Sequence, residues 1–342
     1  MLIAIDHGNY AVKTPSFSFV SGLSEHTVKP PLTDEIIEYA GRYWTLSGKR
    51  LNYMRDKTRD ERYFILSLFA IAKELEAHGS GTGIQKIDLS IGLPPEHYGA
   101  LKEKFVDYFK NRDLIKFVYK DKPYNIMIDH VMVFPQAFAA VVPNSSKIVN
   151  TLRVFVIDIG GYTTDVLLLK NGKPDLQFCR SLETGIITMN NEIMRKVSAL
   201  HDMLIEDEHI SAVLTGADTI LPDDVKQTIC GATKLHADNI LNQLRELQVD
   251  LRSNPAIFIG GGSILLRPFL EQSPLVAKAD FVENPNANAL GYEMLGNQKL
   301  HILTQAPGSE GLARKKMANT DFPCNSAQIH LKICKSENCL KD

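Results

Sequence analysis

The chain has 342 residues, of which 44% are hydrophobic, and a formal net charge of −2. Such a length corresponds to about two domains, and the apolar fraction suffices for a sizeable core in each. With no long run of one sign, a strongly basic nucleic-acid surface is excluded, because phosphate neutralisation needs clustered Lys and Arg. DNA reached through an adaptor stays open, and no segment has the roughly 18 apolar residues of a membrane helix.

The first half opens with a strand over residues 2–6 that breaks at Gly8, with Ser16–Val20 as the returning strand. Tyr39–Leu46 reads as a further strand and Gly48 as a turn. Arg62–Ala77 places Phe64, Leu68, Ile71 and Leu75 at helical spacing and stops at His78-Gly79. Ile87–Leu93 is a strand closed by Pro94-Pro95, and Leu101–Phe109 is an amphipathic helix. Ile126–Phe134 is a strand, followed by a short helix over Pro135–Val142 that ends at Pro143-Asn144. The second half repeats the plan. Leu152–Asp158 and Thr164–Leu169 form a hairpin-like pair, with Asn171-Gly172 as the next turn and Phe178–Leu182 as a strand. Helices follow over Ile186–Leu200 and Ala237–Leu247, then the strand Ala256–Ile259, the helix Ile264–Leu270 and a last helix over Asn288–Leu295. Beyond about residue 300 the chain turns polar and loses periodicity, which predicts a poorly ordered tail. Strands alternating with helices predict an α/β protein with mixed sheets, two related halves and a cleft between them.

Five cysteines is an odd count. Cys179 and Cys230 lie in core-like segments and are expected as buried thiols. Cys324, Cys334 and Cys339 match no common zinc spacing and are expected as reduced thiols. With no basic leader before the first strand, a cytoplasmic protein without a membrane partner is expected.

The chemistry is concentrated in two matching segments roughly 150 residues apart, Ile3–Tyr10 and Val154–Val166. Each is an apolar strand that ends in Asp, then turns at Gly and continues through small polar residues. Two such turns facing each other would clamp a nucleoside triphosphate. Glycine lets the backbone approach phosphate oxygens without a Cβ in the way, and the exposed amides then donate. Gly8 and Asn9 would serve on one side, and Gly160, Gly161 and Thr163 on the other. Asp6 and Asp158 could hold hydrated magnesium, which takes a few carboxylates plus phosphate oxygens and keeps most of its water. Lys13 would add a point charge near the phosphates.

A third element is Ile257–Ser263, where a strand feeds Gly260, Gly261 and Gly262 into a helix N-terminus able to lie against a nucleoside and donate amides. A fourth is Val133–Ala140, which offers Gln136 at the start of a small-residue helix, where it could orient a water for attack on a terminal phosphate. Gly-rich strand ends also occur as plain turns, so the weight lies in the combination. Gly41…Gly48-Lys49-Arg50 has the wrong spacing for a P-loop and lacks its Ser or Thr. The glycines of 79–83 precede a strand and so do not form a dinucleotide fingerprint.

In this order the motifs, Asp-x-Gly-Asn, Pro-Gln-Ala, Asp-Ile-Gly-Gly-x-Thr-Thr-Asp, Gly-Gly-Gly-Ser and Ala-x-Gly, resemble those of the actin, heat-shock chaperone and sugar-kinase ATPase superfamily. The opening Ile-Asp-His-Gly-Asn-Tyr-Ala-Val-Lys and the total length are most similar to the bacterial actin-like ATPases of the ParM/StbA plasmid-segregation group. The resemblance covers residue 1 to about 297. It implies an actin-like ATPase fold: two related domains with mixed sheets flanked by helices around an interdomain nucleotide cleft. The first would span 1–150, with a small subdomain at about 30–80, and the second 151–285. A helix over 286–299 would return to the first, leaving 300–342 as the tail. It further implies ATP and Mg2+ as cofactors, hydrolysis to ADP and phosphate, and self-assembly into filaments. DNA would be met only indirectly, through a DNA-binding adaptor of the ParR type. Asp6 and Asp158 would bracket magnesium, and Gly260 to Gly262 would take the adenosine side. Gly185 and Asn190 would approach the nucleoside. Many ParM-like proteins carry Glu where this chain has Gln136, which implies slower hydrolysis by the same mechanism. Two alternatives keep the fold and change the function: a non-polymerising scaffold or pilus-assembly ATPase, and a small-molecule kinase, which would need a general base near its acceptor.

Overall fold

The computed structural model describes residues 1–79, 83–143 and 151–305. Leu2–His7 (β1), Ala11–Lys13 (β2) and Ser18–Val20 (β3) form a meander at one edge of the first sheet. Leu23–His26 (β4), Ile36–Tyr39 (β5) and Arg42–Leu46 (β6) build its far edge. The chain then continues through helix Arg62–Ala77 (α1), Ile84–Leu93 (β7), helix Pro95–Lys110 (α2), Ile115–Tyr119 (β8), Lys122–Pro135 (β9) and the short helix Phe138–Val141 (α3). The nine strands lie in the order β3-β2-β1-β7-β9-β8-β5-β6-β4. At its centre β1, β7 and β9 run parallel, and parallel strands buried on both faces read as continuous apolar runs. Helix α1 is buried almost all round, from Tyr63 to Leu75, as expected of a helix sealed inside a core.

The second sheet is assembled from Arg153–Ile159 (β10), Thr164–Lys170 (β11) and Lys173–Leu182 (β12), then Ala256–Ile259 (β13) and Ala279–Phe281 (β14). The order is β12-β11-β10-β13-β14. Helices Ile186–His201 (α4), Asp207–Thr215 (α5) and Asp223–Glu246 (α6) precede β13, and Gly261–Glu271 (α7) follows it. Asn171 and Gly172 both have positive φ, at 50° and 72°, which suits the tight turn between β11 and β12. The last helix, Ala287–Gln305 (α8), packs on α3, β1 and β7 of the first sheet. Its approach to α3 is so close that a Cβ on Gly291 would sit 1.9 Å from the Ala139 carbonyl oxygen.

Several local expectations are corrected. The strand returning to β1 is β2, and the 16–20 segment contributes only β3, paired to β2. The single strand expected at Tyr39–Leu46 is the second arm of a hairpin that turns at Ala40-Gly41. The expected helix over Pro135–Val142 shrinks to α3, because β9 continues through Pro135 and the Gln136 amide still donates to Leu93 in β7. Helices α2 and α6 are longer than expected, and β8, α5 and β14 were not foreseen. The last helix extends to Gln305, so the tail does not begin at residue 300; 306–342, with Cys324, Cys334 and Cys339, lie outside the described residues. Cys179 is buried as expected, whereas Cys230 is half-buried. Among the described residues no helix is long and apolar enough to cross a membrane.

Candidate functional site

Strand parity decides where the key carboxylates point. In β10, Phe155, Ile157 and Ile159 face the core formed with α4, α6 and α7, whereas Val154 and Val156 face a cluster shared with α3 and α8. Side chains alternate with period two, so Asp158 follows Val154 and Val156 toward the first half. In β1, Ile3 and Ile5 join the core around α1, while Ala4 joins the shared cluster; Asp6 therefore points the same way. In β9, Met132 and Phe134 belong to the shared cluster and Val133 does not, and Gln136 continues that face. Three strand ends from two sheets thus deliver Asp6, Gln136 and Asp158 into one cleft of about 300 Å³.

The bonds there are specific. Gln136 Nε2 donates to Asp6 Oδ1 at 3.0 Å. Asn288, at the start of α8, donates from Nδ2 to Asp158 Oδ2 at 3.0 Å and accepts the Ala137 N–H on Oδ1 at 3.1 Å. Ala137 sits at φ 62°, ψ −52°, and the Phe138 amide donates to the Gln136 carbonyl at 2.6 Å. That is the positive-φ γ-turn, a strained conformation, which lets the chain leave β9 while the Gln136 side chain stays on Asp6.

The two glycine turns meet. A Cβ on Gly161 would lie 2.7 Å from the Tyr10 Cβ, and one on Gly8 would lie 2.6 Å from the Ala11 carbonyl oxygen. The second turn is braced by Gly160 N–H to Thr163 O at 2.9 Å, by Gly185 N–H to Tyr162 O at 2.9 Å, and by Ile187 N–H to Gly161 O at 2.7 Å. Gly260 has φ 87°, and a Cβ there would lie 2.4 Å from Asp158 Oδ1, so only glycine fits. Gly261 begins α7 and has open space where a Cβ would be.

Of the residues singled out from sequence, Asp6, Gly8, Asn9, Lys13, Gln136, Asp158, Gly160, Gly161, Thr163, Asn190, Gly260, Gly261 and Gly262 line the cleft. Gly185 lies beneath the second turn, where a Cβ would meet the Tyr162 and Gly161 backbone at 2.4 and 2.5 Å. Lys13 also ties the first turn to the segment before α8, donating to the Pro285 carbonyl at 2.8 Å. Asn190 donates to Asp207 at 2.9 Å, and its Oδ1 is buried without a partner among the described residues.

Sequence reasoning missed Lys57, Asp165 and Asn288, all of which line the cleft. Asp165 shares the inward parity of Leu167 and Leu169 and could have been found from the hairpin motif that contains it. Lys57 and Asn288 carry no motif. Lys57 comes from the connection between β6 and α1, is buried, and donates to the His7 carbonyl. Burial lowers its ammonium to about 8, against the pull of Asp6 and Asp165. Ser67 Oγ donates to the Tyr63 carbonyl, so the His7 Nε2–H donates to Ser67 at 2.7 Å. Burial, helped by Lys57, drops His7 to about 3 and keeps it neutral.

The cleft is short of positive charge. Asp158 and Asp165 are direct cross-strand partners in β10 and β11, an unfavourable like-charge pairing. Burial, then the Asp165 charge, pushes the Asp158 carboxyl up to about 7, and Asp6 adds to the shift. Burial likewise pushes Asp165 up to about 6. Asn288 and Gln136 each occupy one carboxylate oxygen, which leaves Asp158 and Asp6 a second oxygen apiece for a cation. Among the described residues no group of three or more His, Cys, Asp or Glu is arranged to hold a metal. An oxygen-only pair of carboxylates suits magnesium, which completes its shell with water and phosphate and does not need an all-protein cage.

Comparison with known proteins agrees with this geometry. Residues 4–138 match the family model of the N-terminal domain of actin-like proteins, and residues 156–272 match the C-terminal model of the archaeal actin homologue, MreB-like. No curated protein matches the sequence. Among solved structures, the chain is similar to the archaeal actin homologue Ta0583 in complex with ADP, at 18% identity and TM-score 0.66, covering 87% of this chain and 99% of that one. A 15-stranded ParM filament from Clostridium botulinum gives 21% identity and TM-score 0.67, with the same coverage. Bacillus thuringiensis ParM with ATP gives 11% and 0.63, covering 88% of this chain and 99% of that one. These likenesses show the actin-like fold, and the two family models together span more than two thirds of the sequence: the chain belongs to the actin-like proteins.

Proposed function

We infer that this chain binds ATP with magnesium in the cleft, hydrolyses it to ADP and phosphate, and assembles into filaments whose lifetime hydrolysis sets. The observation that carries the reading is the convergence of Asp6, Gln136 and Asp158, by strand parity, beneath two touching glycine turns. The amides around Gly8–Asn9 and Gly160–Thr163 would hold phosphates, and the α7 N-terminus at Gly260–Gly262 would take the adenosine side. Asp6 and Asp158 would hold Mg2+, which when bound neutralises phosphate charge and orients the triphosphate. Gln136 keeps its amide nitrogen on Asp6, leaving its carbonyl to accept from an attacking water. Positioning of this kind suffices for phosphoryl transfer.

The halves would correspond to domains over 1–150 and 151–285, the former with a small subdomain at about 30–80, and the segment 286–299 would return to the first. Because the nucleotide touches both, loss of its terminal phosphate removes contacts present only in the closed form, and the cleft relaxes. The nucleotide-bound and filament relatives support this reading. A role in plasmid or mobile-element segregation in the cytoplasm, with DNA reached only through a DNA-binding adaptor of the ParR type, follows from the ParM likeness. Sedimentation and electron microscopy with ATP and with ADP test the proposal. Cooperative polymer above a critical concentration with ATP, and less with ADP, is expected; no polymer at tens of micromolar with either nucleotide would overturn it.

A further inference from the structure

The connection between β6 and α1 starts and ends on the first half and touches the second half between those points. Its beginning is sewn to the first half, where Ser47 N–H donates to the Gly22 carbonyl at 3.1 Å and Leu51 N–H to the Ser21 carbonyl at 2.7 Å. Its end is fixed by Asp56, which accepts from Lys104 of α2 at 2.5 Å and from the Thr58 hydroxyl at 2.6 Å. Between these anchors the Tyr53 ring stacks on the Tyr162 ring of the second glycine turn, with centroids 3.9 Å apart and planes 12° from parallel. Four residues on, Lys57 enters the cleft. Tyr162 occupies the turn between Gly161 and Thr163, and its carbonyl receives the Gly185 amide that starts α4. One aromatic contact therefore joins the element carrying the buried cation to the turn assigned to phosphate.

We propose that Tyr53 and Tyr162 are a pair of positioning residues that latch the 47–61 strap onto the phosphate-binding turn and so slow nucleotide release. The proposal rests on the reading of the cleft as an ATP site. The stack holds Tyr162, and through it the Gly160–Thr163 turn, while it holds Lys57 in place from the other side. Any rotation that separates the halves at this point must unstack the rings. Lys57 is buried and, among the described residues, forms no direct ion pair; Asp6 and Asp165 pull on its ammonium without touching it, and a phosphate would add the direct partner that a buried charge favours. Nucleotide and latch then reinforce each other, since each fixes the same strap and the same turn.

An aromatic pair contributes enough beyond its buried area to change a rate constant by about two- to twelvefold. The test is a stopped-flow chase of methylanthraniloyl-ADP by excess ADP, in the presence of magnesium, on the full chain. Tyr53→Ala and Tyr162→Ala should each raise the dissociation rate by that factor with little change in association rate. The double variant should be no faster than the faster single, because one contact is lost in all three. Tyr53→Phe, which keeps the ring, should release nucleotide like the wild type; a general loosening of the fold would not distinguish Phe from Ala in this way. An unchanged rate in Tyr53→Ala, or rate increases that multiply in the double variant, overturns the latch. If Tyr162→Ala fails to fold, the comparison of Tyr53→Ala with Tyr53→Phe decides alone. If the wild type binds neither labelled nor unlabelled nucleotide, the ATP-site reading itself fails and the latch with it.

Discussion

Gly261→Ala separates stability from ligand binding at one atom. Gly261 is the first residue of α7, it lines the cleft, and a Cβ there would meet nothing within 4 Å. In the free protein the change replaces a poor helix former and reduces the freedom of the unfolded chain, which stabilises by about 0.4 to 1 kcal/mol. For a chain of this size that is a rise in Tm of about 0.5 to 1.5 °C. The same methyl would stand where the adenosine must lie against the α7 N-terminus, so ATP affinity should fall by about tenfold or more, equivalent to about 1.4 kcal/mol. The neighbouring Gly262→Ala should have the opposite effect on stability. Its Cβ would lie 2.6 Å from Ile159 Cγ2 and 2.7 Å from Ile186 Cγ1, an overpacking that costs about 1 to 3 kcal/mol. Thermal melting of the free proteins and calorimetric titration with ATP and magnesium give both quantities. A Gly261→Ala variant that binds ATP as tightly as the wild type, or that melts several degrees lower, would refute the placement of the α7 N-terminus against the ligand.

Three further outcomes are expected. Asn288→Ala removes two buried bonds, to Asp158 and to the Ala137 amide; at about 1 to 3 kcal/mol for each group left unsatisfied, Tm should fall by about 3 to 8 °C, and a drop under about 1 °C would contradict the bridging role. Lys57→Met removes a buried ammonium without an ion-pair partner among the described residues, so calorimetry should show ATP binding weakened about tenfold while Tm holds or rises. Burial, with Asp175 beside it, pushes the Cys179 thiol up to about 11. It therefore stays protonated and unreactive below that pH in the folded state, and alkylation followed by peptide mass spectrometry at pH 8 should leave Cys179 unmodified until the protein is denatured.

The sequence was most informative where a side chain's direction is set by its own strand. Asp6 and Asp158 each end an apolar run, and period-two alternation carries them to the shared face with no knowledge of the neighbouring sheet. Gln136 was found through its flanking residues but assigned to a helix; the parallel pairing of β9 with β7, which extends to Leu93 and Pro135, is a long-range fact that local propensity cannot see. Lys57 and Asn288 were illegible for the same reason, since a loop crossing and a helix docking bring them to the cleft. The hairpin at Ala40-Gly41 escaped because Ala40 takes φ 52°, where Asn or Gly is the usual signal. The short strands β2 and β14, three residues each, are held by neighbours and not by pattern. Of helix α6 the sequence shows only the stretch Ala237–Leu247, because the polar Thr233 and His236 stand on its buried face between Ile229 and Ile240.

The central claim is that carboxylates from the two halves share one magnesium–triphosphate. Calorimetric titration of ATP with and without magnesium, on the wild type and on Asp6→Asn and Asp158→Asn, tests it directly. One site per chain is expected, with affinity that depends on magnesium in the wild type and loses that dependence when either aspartate is changed. Tight ATP binding in the presence of a chelator, or magnesium dependence that survives the loss of either carboxylate, would contradict the account.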